Sequence, residues 1–266
     1  MKNRGDILFI QERKNFRPIK PLSKIAYLLN ATLLLCLLTL FFYFSFKVSV
    51  YHFDFALLLE YKKIILNGFL NTLLISFFAL GSSIFFGLMI CFFSLSRFIV
   101  LRFFALFYIE IIRGTPLLVQ VLLIYYIIAN NLGFDNRYFV GIFILSLFSG
   151  AYLAEIFRSG ILSIALIQIE SARALGLSER QILFYVVFPQ ALKNILAPIS
   201  GQLANLIKDS SLLSVIAVNE LTQNVQEVNS YVFATLEGYI ILAIAYLILT
   251  LPISLFSRYL ERKYQK

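Results

Sequence analysis

Residues 170–191 read ESARALGLSERQILFYVVFPQA. Glu170, Arg173, Glu179 and Arg180 crowd into one soluble-looking helical patch, yet the chain on either side of it is mostly apolar. The stretch reads as two short helical pieces. The first, 167–175, meets a permissive stop at Gly176. Ser178 then fits an N-cap, with Gln181 three residues later as in a capping box. Pro189 disfavours helix for the residue before it, so the second piece is expected to run over 179–188 and end there. A helix–glycine–helix elbow of this kind can pass a push to its flanking segments. An ordinary helical loop is the plainer alternative.

The flanking segments set the fold class. Of 266 residues, 60% are hydrophobic and 14% charged, whereas soluble domains carry about a quarter charged residues. Roughly 20 apolar residues span a bilayer core as a helix. Segments 25–46, 64–96, 114–134 and 238–257 are free of Asp, Glu, Lys and Arg, and 138–154 is charge-free and nearly long enough. Segment 194–218 would span but for Lys208 and Asp209. The expected fold is an all-α integral membrane protein with six transmembrane helices.

Orientation is expected from the basic residues, because cytoplasmic loops collect Lys and Arg. Residues 1–24 form a basic arm with Lys2, Arg4, Arg13, Lys14, Arg17, Lys20 and Lys24. Arg97 and Arg102 mark a second loop, Arg158, Arg173, Arg180 and Lys193 flank the elbow, and Arg258, Arg262, Lys263 and Lys266 mark a tail at 258–266. The opposite loops hold only Lys47, Lys62, Lys63 and Arg137. Both termini and the elbow are therefore expected in the cytoplasm. The same asymmetry accounts for the net charge of +9 without a nucleic-acid-binding face. The first apolar run follows a long basic arm and lacks a small-residue cleavage site, so it reads as a retained span rather than a signal peptide.

Catalytic chemistry finds little purchase. The single histidine, His52, falls in an expected outer loop, which removes zinc-protease motifs and a Ser-His-Asp arrangement. No glycine precedes a lysine, so a phosphate-binding loop for ATP is absent. Cys36 and Cys91 lie in expected spans and read as small buried apolar residues rather than a disulfide or a metal pair. The chain is expected to be non-catalytic.

The informative residues are polar groups at membrane depth, where charges are costly and face a bundle interior or cavity. EIIRG at 110–114 and EIFRS at 155–159 each set Glu and Arg three apart, on one helix face where they can pair. Lys208 and Asp209 are adjacent, hence about 100° apart on a helix, and each needs a partner from elsewhere. Glu155, with Tyr152 one turn earlier, is an acidic lining candidate. Asn67, Asn71 and Thr72 give a polar start to the second span, and Gln120 and Gln202 lie within others; such amides serve interhelical hydrogen bonds as well as ligands. Ser83 with Gly87, and Gly150 with Ala154, are spaced for close helix packing. Segment 219–236, with Glu220 and Glu227 and no basic residue, reads as a solvated outer loop.

The spacing E-S-A-x3-G-x9-V-x-F-P of the opening stretch resembles the EAA loop of membrane permeases of binding-protein-dependent ABC importers, E-A-A-x3-G-x9-I-x-L-P. Glu170, Ala172, Gly176 and Pro189 match; Ser171, Val186 and Phe188 depart conservatively. NGFLNTLLIS at 67–76, EIIRGTPLLVQ at 110–120, AYLAEIFRSGI at 151–161 and LIKDSSLLSVI at 206–216 look like the polar amino-acid (histidine, glutamine or arginine) branch. The resemblance implies a five-helix type I permease domain over 67–257, preceded by an extra helix at 25–46. It implies a cytoplasmic coupling loop at 165–190, with Glu170, Ser171, Ala172, Gly176 and Pro189 toward an ATPase. It implies a bacterial inner-membrane subunit that works with two ATP-binding subunits, a second permease copy or paralogue, and a solute-binding protein. No cofactor is expected in this chain, because Mg-ATP would sit in the partner. Asn71, Gln120, Glu155, Lys208 and Asp209 are the expected substrate-pathway residues. An ATP-independent channel or scaffold that keeps the permease fold is the alternative.

Overall fold

The computed structural model describes residues 13–14, 17–18, 24–47 and 53–264, with side chains for 24–44 and 53–264. His52 and most of the basic arm lie outside the described residues. The chain divides into two units between Phe53 and Asp54.

In the first unit, β1 (Arg13–Lys14) pairs antiparallel with β2 (Arg17–Pro18), a short exception to the all-helical expectation. It is followed by α1 (Lys24–Lys47). Helix α1 is apolar all round and exposes nearly every side chain from Ile25 to Phe44, the surface of a helix meant for lipid. Cys36, expected to be buried, is exposed on it, whereas Cys91 is buried.

The second unit is helical among its described residues. A short α2 (Ala56–Glu60) leads into α3 (Lys62–Ser94). Next come α4 (Ile99–Gly114) and α5 (Leu117–Leu123), which continues as a π-helical turn over Ile124–Ala129. Helix α6 (Arg137–Leu162) starts at Asn136, whose side chain accepts from the Tyr138 and Phe139 amides. The elbow comprises α7 (Leu166–Ala174) and α8 (Glu179–Gln181), after which a π turn over Ile182–Val187 runs into α9 (Phe188–Asp209). A 3₁₀ segment, Ser210–Ile216, then α10 (Leu221–Val232) and α11 (Thr235–Tyr264) complete the unit.

Five of these helical stretches are long and apolar enough to cross a membrane, and a sixth is reached if α4 and α5 count as one broken span. The third span therefore differs from the straight 114–134 helix read from charge content. It begins upstream at Ile99, so Arg102 is helical rather than in a loop, and it bends by 106° between Gly114 and Leu117. Pro116 is the cause: it holds Thr115 in an extended conformation (φ −120°, ψ 146°). Conversely, Pro189 does not stop its helix. The π turn just before it opens the hydrogen-bond ladder where proline lacks a donor, and the helix carries on to Asp209. Residues 258–264 also continue α11 as helix.

Helix α6 sits at the centre, packed on α3, α4 and α9. Its most extensive packing is against α3, where the small-residue spacing predicts close approach. A methyl placed on Gly87 would lie 2.8 Å from Leu153 Cβ and 3.2 Å from the Gly150 carbonyl oxygen, closer than van der Waals contact allows. Ile75, Ala79, Val121, Ile144, Leu145, Leu206, Leu213 and Val218 form the largest buried cluster among the described residues, drawn from α3, α5, α6, α9, the 3₁₀ segment and the connector after it.

Candidate functional site

The elbow forms as its sequence asks. Helix α7 ends at Ala174, and Gly176 takes φ +82°, the left-handed conformation that glycine adopts without Cβ strain. Ser178 caps α8 in a full capping box: the Gln181 amide donates to Ser178 Oγ, and the Ser178 amide donates to Gln181 Oε1 at 2.8 Å. Arg173 reaches across the turn to Glu179 at 2.8 Å, and this hydrogen bond raises the already high pKa of the Arg173 guanidinium. Beneath, Ala172 is buried with Ile164, Ile182 and Val187, which explains why a small residue stands there. Ser171, Glu170, Gly176 and Pro189 are exposed. Around them Leu166, Ile167 and Leu175 also face outward, Leu175 with 81% of its surface accessible. The elbow is thus a self-supported knob with an apolar tip and a charged rim.

Its attachment is direct. Only Ser163, Ile164 and Ala165 separate α6 from α7, and Asn194 of α9 donates to Ser163 Oγ at 2.8 Å. The elbow is thus tied to both α6 and α9.

Most of the polar residues at membrane depth are held by neighbouring segments, though Gln120 Oε1 is buried without a partner. Gln120 bolts the bend, donating to the Ile112 carbonyl and to Thr115 Oγ1, both at 2.8 Å. Gln202 of α9 donates to Ser149 Oγ of α6. Asn71 donates to the Asn219 carbonyl at 2.8 Å. Glu155 is shared by Arg158 at 3.5 Å and Arg113 at 3.6 Å. The i,i+3 pair of 155 and 158 forms as expected. Arg113 instead turns away from Glu110 to Glu155, because α4 ends beside α6 and its last turn presents Arg113 to that helix. Lys208 is exposed and Asp209 half-buried at the end of α9, and neither makes an ion pair among the described residues. No group of metal-ligating side chains occurs among the described residues.

The opposite end of the bundle holds a feature that sequence reading placed in solvent. Residues 219–236 are not a solvated loop: Leu221, Val225 and Val228 of α10 are fully buried, and Glu220 exposes 0% of its surface. Both Glu220 oxygens cap α10, accepting from the Gln223 and Thr222 amides at 2.8 Å, and Tyr246 of α11 donates to Oε2 at 2.9 Å. Thr72 of α3 accepts from the Leu221 amide, and Arg137 of α6 donates to the Ala217 carbonyl. Burial pushes the Glu220 carboxyl up to about 7, against the lowering effect of these donors. The signal that would have exposed this helix is the 221–225–228 apolar spacing, one face at period 3.6.

The chain is similar to known proteins. A family model described as "Binding-protein-dependent transport system inner membrane component" matches residues 83–266. A probable glutamine ABC transporter permease protein, GlnM of Bacillus subtilis, is 32% identical over 79% of this chain and 98% of its own. The glutamine transport system permease protein GlnP of Escherichia coli is 37% identical over 79% of this chain and 97% of its own. Among solved structures, an amino acid ABC transporter with histidines superposes with a TM-score of 0.75 at 35% identity, over 80% of this chain and all of that one.

Proposed function

The chain belongs to the family of binding-protein-dependent transport system inner membrane components, and from that premise we infer that its elbow is the part worked by an ATP-hydrolysing partner. The protein is a permease subunit of an ABC importer for amino acids, a multi-pass protein of the bacterial inner membrane. Its family implies ATP-binding and substrate-binding partners. In our reading, two permease subunits, identical or paralogous, stand over two ATPases that hold Mg-ATP and supply all the hydrolysis. A solute-binding protein delivers a polar amino acid to the opposite mouth. Both termini and residues 165–190 then lie in the cytoplasm, in keeping with the clustering of basic residues at that end.

One observation carries this reading: a capped, left-handed-glycine elbow that exposes Leu166, Ile167 and Leu175 while its base is joined to α6 by three residues and tied to α9 by a hydrogen bond. An exposed apolar tip on a self-supported lever fits a groove on a soluble partner. Glu170, Ser171 and Gly176 form the outward surface, Ala172 anchors it, and Pro189 marks where the lever re-enters the bundle. For the solute, we place Lys208 and Asp209 along the route, with Asn71 and Gln120 in its walls; Glu155, engaged by Arg113 and Arg158, borders the route without contacting the solute. Lys208 suits the carboxylate of an amino acid and Asp209 its ammonium group.

Purification of the complex from its native host, followed by ATP hydrolysis measured with the solute-binding protein across the amino acids, tests the proposal. Co-purifying ATPase subunits and hydrolysis stimulated by one class of polar amino acid are expected. A chain that purifies without an ATPase and conducts solute unaided would favour the ATP-independent channel instead.

A further inference from the structure

The bend in the third span and the elbow are on different segments, and one small cluster joins them. Arg113 lies in the last turn of α4, immediately before the 106° bend. It has two holds on α6, one turn apart: Glu155 at 3.6 Å and the face of Tyr152, 5.3 Å from the ring centroid. Glu155 is steadied by Arg158 on the same helix. The bend itself is fixed from within by Gln120, and Thr115 Oγ1 donates to the Ile111 carbonyl at 2.8 Å. Helix α6 in turn runs straight to the elbow.

We propose that the Arg113–Glu155–Tyr152 cluster is a breakable clasp through which α6 moves the bent third span as one piece. Its chemistry suits a contact that opens and closes. The ion pairs are longer than hydrogen bonds and their side chains are a third to nearly a half exposed, two turns from the elbow end of α6, so the long Arg113 side chain can leave Glu155 and carry its charge to the membrane boundary. The bend, by contrast, is held by amide hydrogen bonds of 2.8 Å. Motion therefore concentrates at the clasp, and the bolted α4–α5 unit follows α6 while the clasp is shut. Arg113, Glu155 and Tyr152 act here as positioning residues. The inference rests on the elbow being driven by an ATPase.

The test uses the whole reconstituted complex with its binding protein. It compares Glu155→Gln, Arg113→Glu and the reversed pair Arg113→Glu with Glu155→Arg. The measured quantity is amino acid imported per ATP hydrolysed, alongside the amino-acid concentration for half-maximal transport. The single variants are expected to assemble normally and to lower the ratio about fivefold, with half-saturation unchanged, and the reversed pair to recover most of it. Unchanged ratios, or a loss that reversal does not restore, would overturn the clasp. So would a large rise in half-saturation with the ratio intact, since that marks Glu155 as a substrate contact. If the unmodified complex shows no binding-protein-stimulated hydrolysis, the functional reading fails and the clasp falls with it, an outcome the unmodified control separates from all the others.

Discussion

Two short helices, one at each end of the bundle, begin in the same way and are used oppositely. At the elbow, Ser178 caps α8 in the open, with its box closed by Gln181 and its charges paired only to one another. At the far end, Glu220 caps α10 in complete burial, and α3, α6 and α11 all reach the connector that carries it through Thr72, Arg137 and Tyr246. The elbow can lose its surroundings and keep its shape. The outer connector owes its shape to its surroundings. A transporter driven from one side needs both: a stiff, accessible handle and a fixed point against which the helices turn.

Breaking the fixed point is expected to have the largest effect on stability. Glu220→Ala strips the Thr222 and Gln223 amides and the Tyr246 hydroxyl of their acceptor in a buried site, and a loss of roughly 3 kcal/mol is expected. Thermal unfolding of the purified protein checks this, with Ser178→Ala as the exposed counterpart. The second effect is protonation of the same carboxylate. Its folded pKa is raised from 4.5 to about 7 by burial, and no lysine or arginine pairs with it among the described residues. Between about pH 4.5 and 7 the folded chain therefore keeps a proton that the unfolded chain has lost. Stability falls as pH rises through that window and levels off above it. Glu220→Gln should flatten that slope in unfolding measured across the same range.

Changes at the elbow should separate function from stability. Gly176→Asp places a Cβ and a charge at φ +82° in open space, so strain stays near 1 kcal/mol, yet import should fall about tenfold or more at normal membrane levels. Transport assays on quantified membranes decide it, and normal uptake would count against the coupling role. Ser178→Ala, the smallest change, removes an exposed cap and should cost about 1 kcal/mol, with a milder loss of uptake.

The elbow was legible because its determinants are local: a glycine, a capping residue and its partner three positions on. The close packing of α3 and α6 was legible for the same reason, through Gly87 and Gly150. What escaped depended on neighbours. Pro189 reads as a stop until the π turn before it is seen to absorb the missing hydrogen bond. Arg113 reads as a partner of Glu110 until α6 offers Glu155. Glu220 reads as a surface carboxylate because charge alone dominates the reading, although Leu221, Val225 and Val228 already mark a buried face. Charge content also hid the third span's true start, since Arg102, Glu110 and Arg113 lie inside an otherwise apolar helix.

The central requirement is that the elbow meets a motor inside the cell. Leu175→Cys, made with Cys36 and Cys91 replaced, puts a single thiol at the exposed tip. In inside-out vesicles it should react with a membrane-impermeant reagent, be shielded when the ATPase subunits are bound, and crosslink to them. Reaction of the same thiol on the exterior of intact cells would contradict the account outright.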